Sequence, residues 1–124
     1  MTVALPVGGK ARVLVVEDEP LVCMLLETML EDAGCNVVAT ASNLKSGLAA
    51  VDESELDFAI LDMTLGQDSS FPIADALSAR GVPFLFASGH DADSLPEKHA
   101  KRHVLAKPFE QSDLEAKLAA IGVG

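Results

Sequence analysis

The chain contains neither tryptophan nor tyrosine, and five phenylalanines are its only large aromatic residues. Any core it builds must therefore be aliphatic, with phenylalanine as an occasional large filler. Cysteine is just as sparse. Cys23 and Cys35 are too few for a disulfide framework, and both stand among apolar residues, so they read as buried, reduced thiols of a cytoplasmic protein. Positive charge is scarce as well: nine Lys and Arg face nineteen Asp and Glu, a formal net charge of −10. That balance argues against sequence-independent binding to nucleic acid or to an anionic membrane. Most of the acidic excess reads as solubilising surface, although clustered carboxylates would also hold a cation. No apolar run approaches the ~20 residues of a membrane-spanning helix. The opening "MTVALPVGGK" lacks the basic segment and long apolar stretch of a signal peptide. With Pro6, Gly8 and Gly9 breaking any pattern, residues 1–11 read as a frayed lead-in to one domain over 12–122, a length sufficient to bury a core.

What is present alternates in kind. "RVLVV", 12–16, is too short for a helix and reads as a buried strand. Pro20 suits the first turn of a helix whose apolar stripe would be Leu21, Cys23, Met24, Leu25, Met29 and Leu30, capped at Gly34. "NVVATA", 36–41, is a second strand, and Asn43 can cap a helix over "LKSGLAAVDES". "DFAILD", 57–62, is a third strand. "MTLGQDSS" reads as a loop into a short helix, "FPIADALSAR", stopped at Gly81. "PFLFAS" is a fourth strand, and Pro96 leaves "DADSLPEKHAKR" weakly helical at best. "HVLA", 103–106, is a fifth strand before an amphipathic helix with Leu114, Leu118 and Ile121 on one face. Five alternations argue an α/β protein, a doubly wound parallel sheet of flavodoxin-like (βα)5 type with strand order 2-1-3-4-5.

Open parallel sheets bind ligands beyond the carboxyl ends of their strands, where strand order reverses. The first strand is followed by Glu17, Asp18 and Glu19, the third ends in Asp62, the fourth leads to Ser88, and the fifth to Lys107 and Pro108. Neighbouring first and third strands would bring Glu17, Asp18 and Asp62 together. Three carboxylates at one edge repel unless a cation or proton intervenes, and oxygen-only ligands suit a hard ion such as Mg²⁺. Lys107 adds a point charge and Ser88 a neutral donor, a set that would orient and neutralise a phosphoryl group on an aspartate nucleophile. Each residue also has a plain reading: Glu19 before Pro20 as a helix cap, Asp62 as a loop residue, Lys107-Pro108 as turn chemistry. It is the joint occurrence at four strand ends that points to chemistry.

"VLVVEDEP", "AILDMTL", "FASG" and "LAKPF" together resemble the receiver domain of two-component response regulators, over about Arg12 to Ile121. The resemblance implies that Asp62 is the phosphoacceptor and that Asp18 ligates Mg²⁺. Glu17 would assist through water, and the backbone carbonyl of Thr64 would complete the protein ligands. It implies a switch role for Ser88, a phosphoryl contact for Lys107 and a cis peptide bond before Pro108. Two departures stand out. The Met-Pro…Asp-Gly pattern common after the phosphoacceptor is missing from "DMTLGQDSSFP", and the usual aromatic switch position holds Val104. "PFLFASGHD" and "SFPIADAL" instead resemble the FATGUY group of receivers, with Ser88 in place of Thr and His90 departing from the last position.

The resemblance implies a single-domain regulator, not an enzyme beyond its own Mg²⁺-dependent phosphorylation and dephosphorylation. Its partners would be a sensor histidine kinase of the HWE or a related class, or a histidine phosphotransfer protein, and a downstream protein. It would alternatively drain phosphoryl groups from a kinase. A phosphorylation-independent scaffold is a further reading, weighed against by Asp18, Asp62 and Lys107 occurring together. A haloacid-dehalogenase-like phosphatase would need Asp where Thr64 stands, and a flavin-binding module would need a phosphate loop where Glu17-Asp18-Glu19 stand. Lys98, Lys101, Arg102 and Lys107 concentrate basic charge, read either as a solvated face or as a dock for an acidic partner. His90, His99 and His103 lack metal-site spacing and read as surface residues, with His90 placed to affect phosphoryl lifetime.

Overall fold

The computed structural model describes residues 11–88, 104–106 and 109–121, with the backbone alone at Ser88 and Ala106. In chain order the elements are β1 Arg12–Val16, α1 Pro20–Asp32, β2 Asn36–Ala41, α2 Leu44–Glu53, β3 Phe58–Asp62, β4 Thr64–Leu65, β5 Asp68–Ser69, α3 Phe71–Ala79, β6 Phe84–Ser88, β7 Val104–Ala106 and α4 Gln111–Ile121. The main sheet runs β2-β1-β3-β6-β7, every pair parallel, which is the expected 2-1-3-4-5 order of its five strands.

Strand alternation builds two cores from one sheet. Val13, Val15, Phe58, Ile60, Leu85 and Ala87 project to one face, where Leu26, Met29 and Leu30 of α1 and Leu114 and Leu118 of α4 cover them. Leu14, Val16, Ala59, Leu61, Phe84 and Phe86 project to the other, under Val51 of α2 and Ile73, Ala74 and Leu77 of α3. Both faces being covered explains why the strands read as unbroken apolar runs. On β2, an edge strand, Val13 faces Val37 and Leu14 faces Ala39, so Val38 is an extra, exposed residue. A bulge of this kind twists an edge away from pairing with another chain.

Helix ends follow their local chemistry. Asn43 and Ser46 form a reciprocal capping box at α2. At α1, Gly34 has φ +88, and the N–H groups of Gly34 and Cys35 bond the carbonyls of Glu31 and Leu30. Gly81, with φ +71, repeats the motif after α3. Glu19 differs from expectation: it precedes α1, but its side chain makes no capping hydrogen bond.

Three further expectations are corrected. The buried stripe of α1 is Leu26, Met29 and Leu30, while Leu21, Met24 and Leu25 are 81%, 62% and 51% exposed. The helix is apolar on nearly every side, and only the ridge facing β1 and β2 can bury. Cys35 is buried, but Cys23 is only half-buried. The expected loop after Asp62 holds a two-stranded antiparallel hairpin, β4–β5. Residues 91–102 and His103 lie outside the described residues.

At the amino end of the sheet, Arg12 closes β1 onto β3. Its backbone N–H and Nε donate to Asp57 Oδ2 at 2.8 and 3.0 Å, Nη2 to Oδ1 at 3.2 Å, and Nη1 to Glu55 at 2.8 Å. These bonds outweigh the opposing effect of burial and hold the Asp57 carboxyl below the usual carboxylate range. A lowered native pKa contributes stability above the unfolded pKa near ~4, and that stability is lost as pH falls through the folded value. Asp57→Asn is therefore expected to lower the thermal midpoint at pH 7, with the gap to wild type closing in melts taken progressively below about pH 4.

Gly47 lets α2 approach α3. A methyl group there would run into Ile73 Cδ1 and lie 3.2 Å from Ile73 Cγ1. Alanine favours a helix over glycine by about 1 kcal/mol, but overpacking a fully buried site costs about 1–3 kcal/mol. Gly47→Ala is expected to lower the melting midpoint, and Ile73→Val in the same chain to recover part of the loss. A double-mutant cycle then gives a favourable coupling of about 0.5–2 kcal/mol.

Candidate functional site

The crevice outside β1 and β3 lies where strand order reverses, with β2 on one side and β3 on the other. Val16 pairs with Leu61, so the residues following each reach the edge together. Glu17 continues the ladder with its N–H on the carbonyl of Ala41 at 2.9 Å. Its side chain is buried, at 2% exposure, and its Oε2 accepts the N–H of Glu19 at 3.2 Å. Asp18 and Asp62 are half-buried. One carboxylate oxygen from each of Glu17, Asp18 and Asp62 lies within 4.8 Å of the others. Sequence spacing anticipated this cluster, and the fold assembles it.

The other predicted residues are placed less completely. Asp62 pairs opposite Ala87, so Ser88, the last residue of β6, stands one step beyond it on the neighbouring strand. Thr64 is the exposed first residue of β4 and pairs with Ser69. Lys107, Pro108, His90 and the basic residues Lys98, Lys101 and Arg102 lie outside the described residues. Val104 is half-buried, paired with Phe86 and packed against the α2–α3 core.

One group escaped the sequence reading. The backbone N–H of Gly66, at the tip of the β4–β5 hairpin, donates to Asp18 Oδ2 at 2.8 Å. A glycine between two short paired segments is a hairpin signal, and "TLGQD" carried it.

Beside the carboxylates lies an open cleft of about 320 Å³, with Glu17, Asp18 and Cys23 on one wall and Thr40, Asn43 and Ser46 on the other. The Cys23 thiol is pushed up, first by burial and then by the neighbouring Glu27 and Glu17 carboxylates, and it donates to Glu27 Oε1 at 3.8 Å. The three groups that meet are all carboxylates, so oxygen is the donor type of the cluster. Oxygen-only ligands select a hard cation. Two ligand oxygens of an octahedral Mg²⁺ stand at most about 4.2 Å apart, so a small closure of this cluster, or a water in one position, fits the ion.

A family model described as the response regulator receiver domain matches residues 13–119. The Phyllosphere-induced regulator PhyR of Methylorubrum extorquens is 31% identical over 109 residues, 85% of this chain and 41% of that protein. The chain thus spans under half the length of that curated relative. Among solved structures, SdrG from Sphingomonas melonis is 42% identical with a TM-score of 0.81, over 92% of this chain and 98% of that one. The receiver domain of the Erythrobacter litoralis PhyR response regulator, 24% identical with a TM-score of 0.82, shares the fold over 94% of this chain and 92% of that one.

Like charges held this close oppose folding until a cation offsets them. Millimolar MgCl₂ is expected to raise the thermal midpoint of wild type above that in NaCl of equal ionic strength, by about 1.4 kcal/mol of stability at ten times the dissociation constant. In Asp18→Asn the Mg²⁺-specific rise should largely vanish, as read by differential scanning fluorimetry.

Proposed function

The chain belongs to the response regulator receiver family, and on that premise we propose that Asp62 accepts a phosphoryl group from the phosphohistidine of a sensor kinase or of a histidine phosphotransfer protein. The observation that carries the reading is the meeting of Glu17, Asp18 and Asp62 at the carboxyl edge of β1 and β3. In the transfer an Asp62 oxygen bonds to phosphorus while the phosphorus–nitrogen bond of the donor histidine breaks and its imidazole leaves. Such a reaction asks the protein chiefly for positioning and charge neutralisation. Glu17, Asp18, Asp62 and the Thr64 carbonyl would hold Mg²⁺, which when bound supplies positive charge against the phosphoryl oxygens. Lys107 adds a second positive contact, and the peptide bond before Pro108 is cis in this reading. The Ser88 hydroxyl then binds a phosphoryl oxygen and draws the chain after β6 toward it, biasing an equilibrium between two arrangements.

Partner contact is supported by α1. Leu21, Met24 and Leu25 form an exposed apolar stripe beginning three residues after Asp18. A phosphodonor protein docked there brings its histidine to the carboxylates. Output passes through a further protein contact, for which Lys98, Lys101 and Arg102 would supply the basic charge that an acidic partner meets. The alternative output is the draining of phosphoryl groups from the kinase. "FASG", 86–89, supports assignment to the FATGUY group, and with it a kinase of the HWE class. SdrG, 40% identical in its BeF3-activated conformation, is a relative in which an activated state has been described. The protein's chemistry is confined to gaining and losing its own phosphoryl group.

Incubation with acetyl phosphate and Mg²⁺ is expected to add a single phosphoryl group to wild type and none to Asp62→Asn, with chelation abolishing the adduct. Intact-mass spectrometry reads all three. No adduct on wild type removes the proposal, and one persisting in Asp62→Asn reassigns the acceptor.

A further inference from the structure

The hairpin that replaces the expected loop contributes a group to the site. Thr64 pairs with Ser69 and Leu65 with Asp68, leaving Gly66 and Gln67 as a two-residue connection. Gly66 has φ +65 and no residue other than glycine has positive φ among the described residues. Positive φ at the first loop position and not at the second is the signature of a type II′ turn, which calls for glycine there. The Gly66 N–H lies outside the ladder of such a hairpin, so it is available as a donor, and it is spent on Asp18 Oδ2 at 2.8 Å.

The root of the hairpin is fixed in the core. Leu65 and Met63 are 4% and 3% exposed on the α2–α3 side. Ser70 is fully buried, with its N–H and Oγ on the Met63 carbonyl at 3.0 and 3.3 Å. The donor at the tip is thus carried on a braced arm.

We infer that Gly66, through its backbone N–H, is a positioning residue for Asp18, holding that carboxylate within the cluster it forms with Glu17 and Asp62. The inference rests on the proposed cation-dependent function. Glu17 is buried and confined, but Asp18 is half-exposed, and repulsion from two like charges favours its rotation to solvent. A charge-assisted hydrogen bond to one oxygen opposes that rotation and leaves lone pairs for a metal. Because Thr64 belongs to the same hairpin, one small element would place two ligands.

The test compares Mg²⁺ affinity, by isothermal titration calorimetry, in wild type, Gly66→Ala, Gly66→Asn and Gly81→Ala. No atom outside the local backbone lies within 4 Å of an added Cβ at either glycine, so conformational strain is the perturbation at both. Positive-φ strain on a residue with a side chain corresponds to about five- to thirty-fold or more in affinity if binding must restore the hairpin. The expected result is a loss of that order in both Gly66→Ala and Gly66→Asn, since the first position of a type II′ turn calls for glycine, and no change in Gly81→Ala. In Mg²⁺-free protein, Asp18→Ala should shift the Gly66 amide proton upfield and speed its exchange. Unchanged affinity in Gly66→Ala, equal losses in Gly66→Ala and Gly81→Ala, or a Gly66 amide blind to Asp18→Ala, overturns the inference. Absence of Mg²⁺ binding to wild type removes the proposed function instead, and the amide measurement still decides whether Gly66 holds Asp18.

Discussion

Three carboxylates within 4.8 Å of one another are a standing electrostatic cost, and the rest of the molecule is arranged around holding them there. The cluster exists because β1 and β3 are adjacent and in register, Val16 against Leu61, so that each chain leaves the sheet at the same level. That register is fixed on both faces at once. A slip of one residue would exchange Val13 and Val15 with Leu14 and Val16 between two cores with different helices over them. The apolar sandwich therefore positions the charges, and no surface loop could do so as firmly.

The two ends of the sheet treat acid differently. At the amino end, Asp57 is buried and answered by the Arg12 guanidinium, with a carboxyl held below its usual range by hydrogen bonds from within the chain. At the carboxyl end, Glu17 is buried to a similar degree, and its carboxylate accepts a backbone N–H rather than forming a fork with a guanidinium beside it in the sequence. Backbone donors reach this acidic edge: the Glu19 N–H meets Glu17 and the Gly66 N–H meets Asp18. Backbone donors orient a carboxylate without neutralising its full charge, which would suit the cation and the phosphoryl group that the proposed function brings to this edge.

Much of this was legible in the residues. Short apolar runs ending in acids marked β1 and β3, and the alternation of five such units led to the strand order and so to the meeting of Glu17, Asp18 and Asp62. What was not legible has a common physical cause. Along α1, Leu21, Met24 and Leu25 are as apolar as Leu26, Met29 and Leu30, and periodicity cannot say which ridge meets the sheet. Glu19 has the side chain of a cap, but its N–H, not its carboxylate, makes the local bond, to Glu17. The Gly66–Asp18 bond spans 48 residues and exists only once the hairpin is braced by Leu65 and Ser70. Each miss concerns a choice made by tertiary contact between locally equivalent options.

The distribution of aromatic residues bears on how such an edge could signal. Phe86 is fully buried and meets both Phe71 and Phe84 edge to face, at centroid distances of 5.7 and 5.6 Å. Its neighbour on β7 is Val104, half-buried and packed on the same core. A phenyl ring packed edge to face against two others on a close-packed face has little room to turn, and a valine has no ring. A side-chain switch at this place is therefore poorly served by the residues present. β6, by contrast, ends in Ala87 and Ser88, and the sequence continues with Gly89, all small residues with little bulk to oppose a backbone shift. Under the proposed function the response to a phosphoryl group on Asp62 falls to that backbone, one step along the neighbouring strand, and the aromatic cluster behind it serves as the fixed frame against which it moves.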